Sequence, residues 1–253
     1  MTDPEQLENE AIGFIVNNLS DKNCVLYFSG GKGSCIVRHL LQRADIPYAG
    51  LFKRPGFHAD GLEDFIKQFD DITIIDNDVP LIEQVKERGF LPSVTDRYCC
   101  YENWEHHNPT GDYVAVGGMT FKPWRMDMKR VFCVNGKIAD VNPILHWTEE
   151  EVDAYVERYD LKSVPRKYLQ GHFNCIVCPL QKEVTRETYD RFLRMWEDHP
   201  DQLRKQREAS DLSFDMLKAK NYPVLANDKD EYFRKWCCKE QLVGGVGCIT
   251  ELR

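Results

Sequence analysis

The feature that most constrains this chain is a short apolar run, Cys24-Val25-Leu26-Tyr27-Phe28, that breaks off into Ser29-Gly30-Gly31-Lys32-Gly33-Ser34. Ile36, Val37, Leu40 and Leu41 follow at helical spacing. A buried strand, a glycine-rich turn and a helix in that order open an α/β unit. The alternation continues, with strands expected over 48–52, 72–75 and 113–117 and helices over 61–69 and 81–88. Val131 to Val134, Asn135-Gly136 and Ile138 to Val141 have the signature of a hairpin closed by a tight turn. Thr148 and Glu151 make a capping box for a helix running to about residue 159. An amphipathic helix over 4–19 precedes the first strand, and 185 to about 220 reads as helical and strongly charged. The expected fold is α/β, a doubly wound, mostly parallel sheet with a helical C-terminal extension. The expected division is 1–184 for the α/β domain and 185–253 for the extension.

Composition narrows the class. The formal charge of −8 argues against a protein that coats nucleic acid non-specifically, although a local basic patch is compatible with it. No stretch approaches the roughly 20 apolar residues of a membrane span. The acidic, polar opening MTDPEQLENE is unlike a signal or transit peptide, so a cytoplasmic location is expected. In a reducing compartment, ten cysteines read better as ligands or redox groups than as crosslinks.

The turn itself suits phosphate. Glycines let the backbone fold so that N–H groups at the helix start point at an anion. Ser29 and Ser34 add hydroxyls, and Lys32 adds a positive charge. The spacing is not that of a Walker A loop. An ordinary βα turn with an exposed lysine has the same composition, so the turn alone leaves both readings open.

Three ordered segments resemble one family. Ser29 to Ser34 is similar to the S-G-G-K-D-S loop of the PP-loop ATP pyrophosphatases, which split ATP into AMP and pyrophosphate. Val141-Asn142-Pro143-Ile144-Leu145-His146-Trp147-Thr148-Glu149-Glu150-Glu151-Val152 resembles the P-I-x-x-W-T-x-x-x-V segment of the PAPS reductase-like branch. Tyr168-Leu169-Gln170-Gly171-His172-Phe173-Asn174-Cys175-Ile176-Val177-Cys178-Pro179 resembles that branch's L-Y-x-x-G-x-x-x-C-x-x-C-P segment. The resemblance implies an adenine nucleotide alpha-hydrolase-like sheet and ATP with Mg²⁺ on Ser29, Gly30, Gly31, Lys32, Gly33 and Ser34. Lys32 and Ser34 are the implied catalytic groups of the turn. Two departures remove carboxylates: Gly33 stands where the family has Asp, and Arg54-Pro55-Gly56-Phe57 where many relatives read Asp-Thr-Gly.

Cys99-Cys100 and Cys175-x-x-Cys178 supply four thiolates, the number that fills a [4Fe–4S] or a tetrahedral zinc site. The resembling APS reductases and DNA phosphorothioation proteins place four cysteines in this order around a [4Fe–4S] cluster, which implies Cys99, Cys100, Cys175 and Cys178 as ligands. Adjacent thiolates crowd a single ion, whereas a cluster gives each its own iron, and this favours iron–sulfur over zinc. Cys24, Cys35 and Cys133 lie in or beside apolar segments and read as core. Cys237, Cys238 and Cys248 stand near the C-terminus, with Cys238 the candidate for a sulfur-carrying thiolate.

Lys122 and Arg125 follow the strand that ends in Gly117-Gly118, and they are the loose equivalents of the branch's G-x-R-x-x-E-S-x-R segment. A solvated basic face would look alike. The resemblance implies adenylation of an acceptor by ATP and then sulfur transfer, with nucleic acid as acceptor in DNA phosphorothioation or tRNA thiolation. A cysteine desulfurase would supply the sulfur. Two alternatives stand beside it. One is reduction of APS or PAPS to sulfite with a thioredoxin-like reductant, against which Lys32 and the missing C-terminal Glu-Cys-Gly-Leu-His count. The other is a nucleotide-binding assembly subunit without turnover, favoured by Gly33 and Arg54.

Overall fold

The computed structural model describes residues 3–54, 61–75, 79–93, 96–99, 112–164, 193–194 and 196–237. They form α1 (Pro4–Leu19), β1 (Cys24–Tyr27), α2 (Lys32–Arg43), β2 (Tyr48–Lys53), α3 (Leu62–Ile66) and β3 (Ile72–Ile75). Next come α4 (Leu81–Arg88), β4 (Val114–Val116), a 3-10 turn (Pro123–Arg125), β5 (Val131–Val134) and β6 (Lys137–Val141). Three helices complete the set: α5 (Glu149–Arg158), α6 (Pro200–Ala219) and α7 (Lys229–Cys237).

The six strands make one sheet in the order β3-β2-β1-β4-β6-β5, parallel except for the antiparallel β5–β6 edge pair. This is the α/β, doubly wound, mostly parallel class expected from the sequence. The chain winds outward from β1 to β2 and β3, then returns to lay β4 on the other side of β1. That reversal puts a topological switch point at the carboxyl ends of β1 and β4, where ligands of open α/β sheets bind.

Register explains which face is dry. In parallel pairing, residues on one row share a face. Leu26, Val116 and Val141 fall on one row and are fully buried. The neighbouring row, Val25, Ala115 and Asp140, passes from buried Val25 to half-buried Ala115 and Asp140. Helices α1, α2 and α5 pack against one another, with Ile15, Ile36, Leu40 and Tyr155 wholly enclosed.

Contacts divide the chain into two compact units. The first takes residues 1–53, 61–75 and 108–165, and it contains the sheet with α1, α2, α3 and α5. The second takes 54–60, 76–107 and 166–253, and it joins α4 to α6 and α7. Its core includes Val85, Phe90, Leu91, Tyr98, Trp196, Leu217, Tyr232, Phe233 and Trp236. The helices after residue 193 thus share their unit with an earlier stretch of chain, while the expected boundary at 184/185 lies outside the described residues. No described helix is long and apolar enough to cross a membrane.

Several local expectations shift. The helix expected over 61–69 is one short turn, Leu62–Ile66, begun at left-handed Gly61. The hairpin turn is as expected, with Asn135 at φ 52° and Gly136 at φ 76°, the pair of positive values that a two-residue hairpin needs. Helix α7 has no counterpart among the sequence expectations. Cys133, read as core, is exposed on edge strand β5, because an apolar run looks the same on an edge as in a sheet centre. Cys237 is fully buried in the second core, while Cys238 and Cys248 lie outside the described residues.

Candidate nucleotide site at the switch point

The turn after β1 is built from its own hydrogen bonds. The Gly31 N–H donates to Ser29 Oγ at 3.3 Å, Ser34 Oγ donates to the Gly31 carbonyl at 2.9 Å, and the two serine hydroxyls lie 3.2 Å apart. Ser34 is buried, so this geometry is fixed from inside. Gly31 caps α2 without a side chain. The first N–H groups of a helix have no partner within it, and they carry the positive end of its dipole. A self-bonded turn feeding an uncapped helix start is a cradle for an anion.

Two glycines of the turn are required for different reasons. Gly30 has φ 76°, a left-handed value that side chains disfavour. Its carbonyl accepts from Val164 N–H at 2.7 Å and from Cys35 Sγ at 3.3 Å. Gly33 has no such dihedral. A Cβ there would stand well under 3.0 Å from the Gly118 carbonyl oxygen, and one on Gly118 would press equally on Ser34 N. The ends of β1 and β4 therefore meet backbone to backbone. Beyond β4, Gly117 is held bare by Asn142, whose Oδ1 would meet any Cβ placed there.

The cations of the site are tied to α5. Lys32 Nζ makes an ion pair with Asp153, and Lys122 Nζ lies 3.5 Å from Glu149 Oε2. Glu149 belongs to the segment that resembles P-I-x-x-W-T-x-x-x-V, and Asp153 follows its last residue directly. The start of α5 is pinned by its capping box, Thr148 Oγ1 accepting from Glu151 N–H at 3.2 Å and Glu151 from Thr148 N–H at 2.9 Å. Phe121 N–H donates to Trp147 O at 3.0 Å, joining the segment after β4 to the same helix start. Arg125 is directed elsewhere, its Nη1 donating to Thr120 O at 2.9 Å, and burial holds its pKa below the ordinary arginine value.

Of the residues singled out from sequence, the structure brings together Ser29, Gly30, Gly31, Lys32, Gly33 and Ser34 in the turn. It links Lys122 to the same helix that holds Lys32, and it gives Arg125 a local backbone partner. Arg54 is half-buried directly after β2, and Pro55, Gly56 and Phe57 lie outside the described residues. Cys99 is half-buried against the second core. Cys100, Cys175 and Cys178 lie outside the described residues, and no group of three or more metal-ligating side chains occurs among the described ones. Cys35, beside the turn, is a core thiol whose burial pushes its pKa up to about 12. Sequence reasoning missed Gly118, Glu149 and Asp153 as parts of the site. The spacing of Glu149 and Asp153, one helical turn apart behind a capping residue, was the available signal.

No family model and no curated protein matches the chain. Solved structures give loose likenesses. NMN synthetase from Francisella tularensis is similar over 90% of this chain and 100% of its own, at 12% identity and a TM-score of 0.46. The U34-tRNA thiolase NcsA from Methanococcus maripaludis, with its [4Fe-4S] cluster, is similar over 88% and 83%, at 13% identity and a TM-score of 0.44. The NH3-dependent NAD synthetase from Campylobacter jejuni is similar over 87% and 96%, at 18% identity and a TM-score of 0.42. At these scores the likenesses place no residue and assign no reaction.

Proposed function

We propose that the chain is an ATP-dependent enzyme that forms AMP and pyrophosphate and so activates an acceptor for sulfur transfer. The observation that carries this reading is the anion cradle at the switch point, where the turn of Ser29 to Ser34 lies against Gly118. The uncapped start of α2 would take phosphate oxygens through its N–H groups, with Lys32 and the Ser34 hydroxyl beside them. In the step itself, an acceptor oxygen attacks the α-phosphorus and the bond to the β-phosphate oxygen breaks. Pyrophosphate leaves and AMP stays esterified to the acceptor. Attack by a sulfide-level donor then forms the bond to sulfur and releases AMP with the oxygen. The positive charge of Lys32 would oppose the charge that gathers on the leaving pyrophosphate, and Mg²⁺ carried in with the nucleotide would supply further charge neutralisation.

Cys99, Cys100, Cys175 and Cys178 are proposed as ligands of a [4Fe–4S] cluster. The fit rests on the donor set, four thiolates, and on Cys99, whose half-buried thiol at the margin of an apolar core suits a ligand shielded from water. Such a cluster, when bound, would supply a site for sulfide. Nucleic acid is the proposed acceptor, a cysteine desulfurase the proposed sulfur source, and Cys238 the candidate relay.

ATP–pyrophosphate exchange and pyrophosphate release test the first half of the proposal. Exchange abolished by Lys32→Ala supports it. Nucleotide binding with no pyrophosphate released, under any acceptor, would favour a binding subunit without turnover. That second reading draws on one observation: the backbone of Gly118 fills the space a carboxylate at position 33 would need. Anaerobic purification with iron and sulfide analysis tests the cluster. Zinc in place of iron, or iron content unchanged in Cys175→Ala, would refute the ligand assignment.

A further inference from the structure

Lys32 and Lys122 are separated by 90 residues of chain, yet both are held by one face of α5. Their partners, Asp153 and Glu149, are four apart, so they stack along the helix about one turn from each other. The helix cannot easily swing away. Its start is fixed by the capping box and by the bond from Phe121 to Trp147, and the chain leaving it is fixed by the bond from Val164 to Gly30. All four charged side chains reach solvent, with 35% and 47% exposure for Lys32 and Asp153, so a ligand can exchange with either pair.

We infer that Asp153 and Glu149 are competing counter-ions: they occupy Lys32 and Lys122 in the ligand-free protein, and a polyphosphate must displace both to bind. This deepens the nucleotide reading and rests on it. The two carboxylates cancel the two lysines, so the cradle offers no net side-chain charge to a stray monoanion. A ligand with a single phosphate gains little by opening one pair. A ligand with two linked phosphates opens both, and its multiple charges outweigh the carboxylates it sets loose. The pairs therefore act on specificity, by weakening all anions and penalising small ones most. They are not catalytic groups, since neither carboxylate is required to touch a reacting atom.

The test uses the full chain and calorimetric titration with inorganic pyrophosphate, ATP and AMP at low ionic strength. Asp153→Asn and Glu149→Gln keep shape and remove charge. Each is expected to tighten pyrophosphate and ATP binding about two- to fivefold, the range of exposed ion pairs, and AMP binding at least as much. Where turnover is measurable, KM for ATP falls. Glu150→Gln makes the same change in net charge from the same helix without touching either lysine, and it should shift binding less. Weaker binding in Asp153→Asn would show that the carboxylate positions Lys32, and would overturn the inference. So would equal tightening in Glu150→Gln, which would mean only long-range charge. If Lys32→Ala weakens pyrophosphate binding while Asp153→Asn has no effect, the inference fails and the nucleotide reading survives. If neither Lys32→Ala nor Lys122→Ala affects pyrophosphate or ATP, the nucleotide reading fails with it.

Discussion

Two turns of this molecule contain a conspicuous glycine, and they need it for opposite reasons. At the β5–β6 hairpin, Gly136 has φ 76° and nothing within 4 Å of where a Cβ would stand. The residue is there for its dihedral, and space is unlimited. In the turn after β1, Gly33 has an unremarkable dihedral and no space at all, because the Gly118 carbonyl fills it. One glycine serves the backbone's conformation, the other a meeting of two strand ends. Loss of the first disturbs a hairpin; loss of the second disturbs the proposed site.

The largest effect is therefore expected from Gly33→Ala. Forcing a methyl against a backbone oxygen is overpacking, which costs typically 1–3 kcal/mol. Denaturant unfolding should show that loss, and pyrophosphate titration should show binding lost with it. Gly33→Asp, which would restore the carboxylate common in the resembling family, is expected to behave as badly, since the clash begins at Cβ. A Gly33→Asp protein that is both stable and active would break the contrast between the turns. Gly136→Ala comes next, at about 1 kcal/mol for a left-handed residue that gains a side chain. Its nucleotide binding should be unaltered in the same titration.

Smaller still is a pH effect inside the α1, α2 and α5 packing. His39 Nδ1 lies 3.0 Å from the Tyr155 hydroxyl, and burial holds its imidazole pKa below the ordinary value of 6.5. The unfolded chain then takes a proton more readily than the folded one. Stability from this group is present above pH 6.5 and is lost as the pH falls from there through the folded value. Urea midpoints measured between pH 5 and 8 should decline on the acid side, and His39→Gln should flatten that decline. The smallest effect belongs to Cys35→Ala. With its thiol pushed up to about 12, Cys35 carries no thiolate at neutral pH, so alkylating reagents should spare it in the native protein. Pyrophosphate binding by the variant should equal that of the parent.

The same contrast explains what the sequence could and could not disclose. Periodicity and turn chemistry are local, and they located α1, β3, α4, the capping box and the hairpin at or near their observed ends. The Gly33–Gly118 contact joins residues far apart in the chain, and nothing in either neighbourhood announces it. The ion pair of Lys32 with Asp153 spans a still longer loop. Spacing showed that each residue was a candidate for a helix face or a turn; only the strand order brought the faces together. The second unit was obscured for the same reason, since its α4 is cut from its α6 by the last segment of the sheet unit. Cys133 was misjudged because burial depends on which neighbour a strand has.

That edge strand has a practical consequence for anyone handling the protein. Phe132, Cys133 and Val134 are all exposed, so β5 shows apolar side chains on both faces and, among the described residues, a backbone bonded on one side only. Such an edge is a template on which further strands can grow, and its thiol can crosslink whatever it meets in air. Concentrated samples should keep best under reductant, and a lysine at position 133 would blunt both the chemistry and the stickiness in a single change.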